Sequence, residues 1–418
     1  MKNFLLNLLI GFCFIYFLFA REIGGIPYLE VIEVLIALLA IMVLCSTASE
    51  DWKRIHNELV FSFTLWFVIS LLEAVNPGAN ILGWLSEIRP VALYPFLLIP
   101  IGFIIFKSNR QLDVFLIIIV VMSTLGALWG IKQLHIGLSA GERAFVAANP
   151  THLIWGRLRV FSFYNDAGQF GASQASVGLI TLLLALAPIK KWKRIVLLIC
   201  SLLMLYGMLI SGTRGALFAV VVGGFVAIIL FKKIKPIFLG SVLMLGFLFF
   251  LRFTHIGDTN YQIFRLRTAI NPSDPSLNVR LATQRNLREY MSTRPFGGGL
   301  GVLGFNSRFN YGQYLATVQP DSYFVKVWAM YGIVGLVIWL GIMLYILGKC
   351  CAIAWLVEDE ILRFKIIALT AGFAGTLFCS YGNEVINNFP SSIVTYISWV
   401  FVFISPELQQ SKKSNLLN

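Results

Sequence analysis

The chain has 418 residues, of which 58% are hydrophobic and only 13% are charged, and its formal net charge is +13. Its mean hydropathy is +0.80. Nearly uncharged windows of about 18 or more residues recur, and a helix of that length crosses the roughly 30 Å hydrocarbon core of a bilayer. This composition excludes a set of soluble domains. Because lipid offers no hydrogen bonds and the alternation of barrel strands is absent, we expect an all-α integral membrane protein.

The hydrophobic pattern predicts about twelve transmembrane helices. They cover residues 4–20, 28–46, 58–75, 90–107, 112–131, 168–188, 193–210, 213–231, 235–252, 321–347, 361–381 and 384–404. The expected organisation is nine spans within 1–252, a loop with amphipathic helices at 253–320, three spans within 321–404 and a tail at 405–418. The first span is interpreted as a retained signal anchor, because a charged pair follows it where a cleavage site would need small residues.

Basic residues cluster in alternate loops, and the positive-inside rule assigns those loops and both termini to the cytoplasm. On this assignment, 13 of the 17 cytoplasmic basic residues are lysine, whereas 14 of the 16 external ones are arginine. A cytoplasmic orientation of a loop needs only positive charge, which lysine supplies. Arginine adds a planar guanidinium group that binds phosphate through two hydrogen bonds. The skew therefore predicts a phosphorylated ligand outside the cytoplasm. Single arginines could instead snorkel or bind lipid headgroups.

The sequence lacks the usual signatures of metal, redox and nucleotide sites. None of the six cysteines has CxxC spacing, and the four histidines are scattered. A P-loop and a dinucleotide fingerprint are both missing. We therefore expect no metal, no cofactor and no nucleic-acid partner.

"SGTRGA" (211–216) joins the seventh and eighth predicted spans. Its arginine, Arg214, falls in the first turn of a helix whose N-terminus already carries free N–H groups and partial positive charge. A cation at that position makes the site more positive, and a bound anion would resolve the conflict. The alternative is an interfacial anchor that snorkels.

The external loop 253–320 is too long for a plain connection. Within it, a helix is predicted over about 278–292, with Arg280, Gln284 and Arg288 on one face. Leu281, Leu287 and Tyr290 would pack this helix onto the membrane domain. The following "FGGGLG" (296–301) would let the backbone approach a ligand closely, although glycines also mark ordinary loops.

Two further external clusters carry polar groups. Asp321, at the start of the tenth span, is either a helix cap or a carboxylate that deprotonates an incoming hydroxyl. Lys326 lies just over a turn further on and could pair with it or contact a phosphate. In "WGRLRVFSFYNDAGQFGA" (155–172), Arg159 precedes aromatic residues that suit sugar rings, and Asp166 is interpreted as a cap with a further candidate role in glycan contact.

Four features in this order resemble the O-antigen ligase and O-antigen polymerase superfamily. They are "RVFSF" (159–163), "SGTRGA" (211–216), Arg280 placed fifteen residues before "PFGGGLG" (295–301), and "DSYFVKVWAMYGIVG" (321–335). The resemblance implies a GT-C-like, metal-independent, inverting membrane glycosyltransferase of the bacterial inner membrane. Its donor would be a glycan on a polyprenyl diphosphate, used at the periplasmic face, and its acceptor a glycan or lipid-linked glycan.

The resemblance also implies roles for individual residues. The arginines that match Arg214 and Arg280 hold the diphosphate, and we add Arg288 and Arg159 from helical spacing and proximity in the sequence. The ligase histidine of the family falls at Asp321 here, which favours polymerisation of repeat units over transfer to lipid A core. Ligase activity is the first alternative, and a transporter or flippase for lipid-linked glycans is the second.

Overall fold

The computed structural model describes residues 1–24, 28–154, 156–232, 234–256, 261–268, 275–319 and 322–417. These residues are almost entirely helical. The α-helices are α1 (Lys2–Glu22), α2 (Tyr28–Ser46), α3 (Ser49–Trp52), α4 (Glu58–Leu72), α5 (Ile81–Ile88), α6 (Tyr94–Ile105), α7 (Asn109–His135), α8 (Ala140–Ala148), α9 (Ala167–Ala185), α10 (Lys191–Ile210), α11 (Arg214–Leu230), α12 (Ile234–Phe253), α13 (Tyr261–Thr268), α14 (Pro275–Met291), α15 (Tyr314–Thr317), α16 (Tyr323–Leu356), α17 (Glu360–Cys379) and α18 (Ser391–Leu417). Strands β1 (Leu153–Ile154) and β2 (Arg157–Leu158) form a small antiparallel hairpin.

Ten helical segments among the described residues are long and apolar enough to cross a membrane. One of them, Ile81–Ile105, combines α5 and α6 through a π-helical turn at Arg89–Leu93. The predicted eighth and ninth spans correspond to shorter apolar helices, Arg214–Leu230 and Gly240–Phe253. The protein is therefore an all-α, multi-pass membrane protein, as the composition predicts.

Polar side chains placed by the sequence fix several helix starts. Asp166 accepts a hydrogen bond from the Gln169 backbone at the start of α9, and Asp359 does the same for Leu362 at α17. Ser108 begins α7 with a complete capping box. Such caps satisfy backbone N–H groups that the helix itself leaves unpaired. The predicted starts of these spans are accordingly within a few residues of the observed ones.

Helices α9, α11 and α17 pack together through small residues. A Cβ at Gly223 of α11 would lie 2.4 Å from the Ala371 carbonyl oxygen of α17. A Cβ at Gly375 would lie 2.4 Å from the Ala219 carbonyl oxygen. Close backbone approach is the usual way in which membrane helices gain packing energy in the absence of a hydrophobic effect. This packing places the beginning of α11 beside the end of α17.

Ion pairs join separate segments of the chain at each end of the bundle. At one end, Lys107 pairs with Asp51 at 2.5 Å and Arg54 pairs with Glu407 at 2.7 Å. All of these residues belong to the segments predicted to face the cytoplasm. At the opposite end, Arg89 of the predicted external set pairs with Glu33 at 2.7 Å. Three of the segments predicted to face the cytoplasm thus lie together in the folded chain.

The last predicted span requires a correction. It was expected to begin at residue 384 after a turn of about three residues, but α17 ends at Cys379 and α18 begins at Ser391. The intervening segment, 380–390, is folded and largely buried. We call it the site loop because it meets the arginines described below.

Candidate active site

The "SGTRGA" segment forms a tight, buried turn between α10 and α11. Ser211 Oγ accepts a hydrogen bond from the Thr213 backbone nitrogen at 3.1 Å, and Thr213 Oγ donates to the Ala167 carbonyl at 2.8 Å. Gly212 has φ of 61°, a conformation that favours glycine. Arg214 is the first residue of α11 and is half-buried. The predicted position of Arg214 in the first helical turn is confirmed.

The first turn of α11 contacts the site loop directly. A Cβ at Gly215, the residue after Arg214, would lie 2.4 Å from Asn383 Nδ2. A Cβ at Gly168, near the start of α9, would lie 3.3 Å from Asn383 Oδ1. Asn383 therefore lies where the beginnings of α9 and α11 meet.

Arg280 of α14 lies close to the same loop. A Cβ at Gly382 would lie 3.8 Å from Arg280 Nη1. Adjacent Cα atoms in a trans chain are about 3.8 Å apart, so Gly382 and Asn383 bring Arg280 close to the residue that follows Arg214. Arg280 and the residue that follows Arg214 thus lie against adjacent positions of the site loop.

The two added arginines, Arg159 and Arg288, lie in different surroundings. Arg159 is half-buried, and the next residue, Val160, donates its backbone N–H to the carbonyl of Ile210, which immediately precedes the "SGTRGA" turn. Arg288 is exposed and lies two turns beyond Arg280, about 12 Å along the helix axis. The neighbouring Leu287 is buried as predicted, whereas Leu281 is 37% exposed, so the packing predicted for Leu281 is wrong.

The sequence analysis did not identify Arg265, which donates a hydrogen bond to the backbone of the "SGTRGA" turn. It is buried on α13, and its Nη2 donates to the Gly212 carbonyl oxygen at 2.9 Å. Gly382 and Asn383 were missed as well. The only local signal was the polar "GNE" (382–384) between two spans, and a short polar turn is expected at any such junction.

Lys326 and Glu384 are joined in a buried ion-pair cluster. Lys326 Nζ donates to Glu384 Oε2 at 2.9 Å and lies 2.8 Å from Glu87 Oε1. Burial raises the pKa of Glu384 above its ordinary value, and the charge of Lys326 opposes this effect. Two carboxylates therefore pair with the Lys326 ammonium group, and its predicted contact with a glycan or phosphate stays a prediction.

The candidate base Asp321 lies outside the described residues, so its predicted role stays a prediction. Two residues further on, the Tyr323 backbone N–H donates to the Ser380 carbonyl at 2.9 Å. The start of α16 is therefore joined to the site loop. Asp166 caps α9, as predicted, and its proposed contact with a glycan stays a prediction.

The glycines of "FGGGLG" pack against protein rather than lining a space for a ligand. The backbone nitrogens of Gly298 and Gly299 donate to the carbonyls of Ala329 and Met330 in α16, both at 2.9 Å. A Cβ at Gly301 would lie 2.4 Å from the backbone of Gly83 in α5. The suggestion that this segment lets the backbone approach a ligand is not supported. Its close approach is to α5 and α16.

Residues 199–340 match the family model described as Wzy_C, O-antigen ligase. The matched segment makes up about a third of the chain and is similar to that family. The match includes the "SGTRGA" turn, α14 and the first part of α16, and it confirms the predicted resemblance to the O-antigen ligase and polymerase superfamily. No curated protein matches the chain. The family supports ligase- or polymerase-type glycosyl transfer from a lipid-linked donor to a glycan acceptor.

Proposed function

We propose that this protein is a metal-independent, inverting glycosyltransferase. It uses a polyprenyl-diphosphate-linked glycan at the periplasmic face of the bacterial inner membrane and polymerises repeat units. Its termini are cytoplasmic on this proposal. The observation that carries the proposal is the convergence of the start of α11, which bears Arg214, and of Arg280 on two adjacent residues of the site loop, Asn383 and Gly382.

The arginines would stabilise the leaving group. As the acceptor oxygen forms its bond to the sugar C1 atom, the bond from C1 to the diphosphate oxygen breaks, and the electron pair stays on the diphosphate. Preplaced guanidinium groups stabilise that developing charge without reorganising during the reaction. Arg214 and Arg280 are best placed for this task. Arg159, beside the "SGTRGA" turn, would support them, and the exposed Arg288 would contact the outer part of the donor.

An apolar groove between α11 and α12 would hold the polyprenyl tail. It has a volume of about 720 Å³ and includes Phe218, Val221 and Phe249 in its lining, with Arg252 also among the lining residues. Phe218 and Val221 lie four and seven residues after Arg214, so they share its face of the helix. A lipid in this groove would therefore extend from the arginine along one side of α11.

The acceptor hydroxyl would be oriented and deprotonated by Asp321, whose carboxylate takes the hydroxyl proton as the new glycosidic bond forms. An ordinary aspartate, with a pKa of about 4, is a weak base for a sugar hydroxyl. Stabilisation of the diphosphate would therefore supply most of the rate enhancement. The aspartate in place of the ligase histidine supports polymerisation. Ligase activity is the second candidate, because the matching family is described as O-antigen ligase.

Purified protein incubated with a polyprenyl-diphosphate oligosaccharide and with lipid A core tests the proposal in one assay. Longer lipid-linked chains would support polymerisation. Transfer to lipid A core would establish ligase activity instead. A protein that binds the donor but makes no covalent product would overturn glycosyl transfer and favour transport.

A further inference from the structure

Three charged side chains from separate segments meet beneath the site loop. Lys326 comes from α16, Glu87 from α5 and Glu384 from the loop itself. Lys326 Nζ is 2.8 Å from Glu87 Oε1 and 2.9 Å from Glu384 Oε2. Lys326 and Glu87 are 7% and 3% exposed, and the Glu384 side chain is 21% exposed. This cluster is not part of the arginine site.

Because the side chains of this cluster are largely buried, the charge of each one depends on the others for compensation. A buried charge is tolerated only when it is paired and hydrogen-bonded, and removal of one partner leaves the others without compensation. Glu87 also accepts a hydrogen bond from Asn306 Nδ2 at 2.7 Å, so part of its charge is satisfied without Lys326. Glu384 depends more heavily on Lys326 for charge compensation, because Lys326 is the basic residue that pairs with it among the described residues.

The cluster sets the position of the site loop relative to α16. Glu384 directly follows Gly382 and Asn383, the two residues that meet Arg280 and the start of α11. A second attachment, from the Tyr323 N–H to the Ser380 carbonyl, lies one helical turn before Lys326. The loop is therefore held to α16 on both sides of the arginine contacts.

We propose that Lys326 is a positioning residue that fixes the site loop through Glu384, so that Gly382 and Asn383 hold the two diphosphate arginines at the correct separation. This inference rests on the proposed function for its catalytic consequence. Its structural part, the attachment of the loop, is independent of that function.

Lys326→Met removes the ammonium group and keeps a side chain of similar length. We expect the KM for the lipid-linked donor to rise between about tenfold and a hundredfold, since misplacement of a site by about 1 Å has effects of that size. A role in stability alone would reduce the folded fraction, so kcat per folded molecule and KM would both stay unchanged. Lys326→Arg, which retains a cation, should restore most of the donor affinity.

Two further variants keep the test decisive. Glu384→Gln breaks the charged attachment of the loop but leaves the pairing of Lys326 with Glu87, so it should fold and still show the raised KM. Lys349→Met removes an exposed ion pair of the same helix with Glu58, at 2.8 Å, at the opposite end of the bundle. This control should retain the KM and kcat of the unmodified protein.

Hydrogen–deuterium exchange of residues 380–388 supplies a measurement that needs no catalysis. We expect exchange at least tenfold faster in Lys326→Met and Glu384→Gln, but not in Lys349→Met. An unchanged exchange rate, or an unchanged donor KM in an active Glu384→Gln protein, would overturn the positioning role. If the unmodified protein makes no product, the proposed function fails, and the exchange rates alone decide whether the attachment stands.

Discussion

At the scale of single residues, the proposed function depends on the cation at position 214 being an arginine. Arg214 occupies a helix N-terminus, where positive charge is unfavourable unless an anion is bound. Its neighbour Gly215 packs so closely against Asn383 that a Cβ there would lie 2.4 Å from Nδ2. The backbone of this turn therefore has little room to move. A guanidinium group held at a fixed position can bind two phosphate oxygens at once, which an ammonium group cannot do.

We predict that Arg214→Lys lowers kcat/KM for the lipid-linked donor by about a hundredfold, because charge is kept but the two-pronged hydrogen bonding is lost. Arg214→Ala should abolish transfer. The measurement is steady-state transfer by purified protein. Arg308→Ala is the matched control, since Arg308 is exposed and stacks on Phe305 at 4.2 Å. Full activity of the lysine variant would argue against bidentate recognition.

At the scale of secondary-structure elements, the break in α16 is the feature that positions the site. Gly332 has φ of 70° within an otherwise helical run, and a Cβ there would lie 2.0 Å from the Pro295 carbonyl oxygen. The glycine segment 296–301 packs into this break. The break therefore fixes the connection between α14, which carries Arg280, and α16.

We predict that Gly332→Ala destabilises the protein by more than about 2 kcal/mol, because the new side chain meets both backbone strain and a steric clash. Thermal unfolding in detergent measures the effect. Gly341→Ala, on the same helix, is the control, because a Cβ at that position meets no atom of the described residues within 4 Å. Equal melting temperatures for the two variants would contradict the interpretation.

A buried carboxylate helps to attach the short helix α8 to the bundle. Glu142 accepts hydrogen bonds from Trp129 Nε1, Lys132 Nζ, Gln133 Nε2 and the Ser139 backbone, at 2.7–3.0 Å. Burial raises the pKa of Glu142, but these hydrogen bonds outweigh burial and bring the pKa below its ordinary value of 4.5. The ionised form therefore stabilises the fold.

This depressed pKa predicts a specific pH dependence. The stability that Glu142 contributes is complete above about pH 4.5 and is lost as the pH falls through its lower folded-state value. The difference in melting temperature between the unmodified protein and Glu142→Gln should thus narrow below pH 4.5. Glu50→Gln, which alters an exposed pair, should show almost no difference at any pH. A Glu142 difference that stays constant down to pH 3 would contradict this assignment.

At the scale of the whole molecule, the bundle has two chemically different ends. Lysine-rich loops joined by ion pairs lie at one end, and the arginines, the site loop and α14 lie at the other. A donor that is delivered through the membrane and used outside the cytoplasm requires the arginine end to face outward. The orientation of the molecule is therefore part of the proposed function.

We expect membrane-impermeant maleimide to label Tyr311→Cys in intact cells, because this residue is 86% exposed at the arginine end. Lys193→Cys, exposed at the lysine end, should react only after the membrane is permeabilised. Both variants need Cys45→Ser, since Cys45 is exposed. Mass spectrometry of the labelled peptides measures the reaction. The reverse pattern of labelling would rule out a periplasmic site.

The sequence by itself determined the membrane class, most of the helices and the candidate arginines. Those properties depend on local composition, since length and hydropathy decide whether a helix can span a bilayer. Arg214 could be singled out because it stands at a short apolar junction, and Arg280 because it belongs to an ordered set of motifs. Local sequence was enough for Arg214, whereas Arg280 was identified through the order of motifs that carries the resemblance.

Only the tertiary structure decided which groups meet. Gly382 and Asn383 lie more than 100 residues from both arginines in the sequence, and they come close to them because small residues let α11 and α17 pack in contact. The pairing of Lys326 with Glu87 and Glu384 depends in the same way on three segments that are distant in the chain. Such contacts leave no local periodicity, because they are set by how helices pack rather than by how each helix forms.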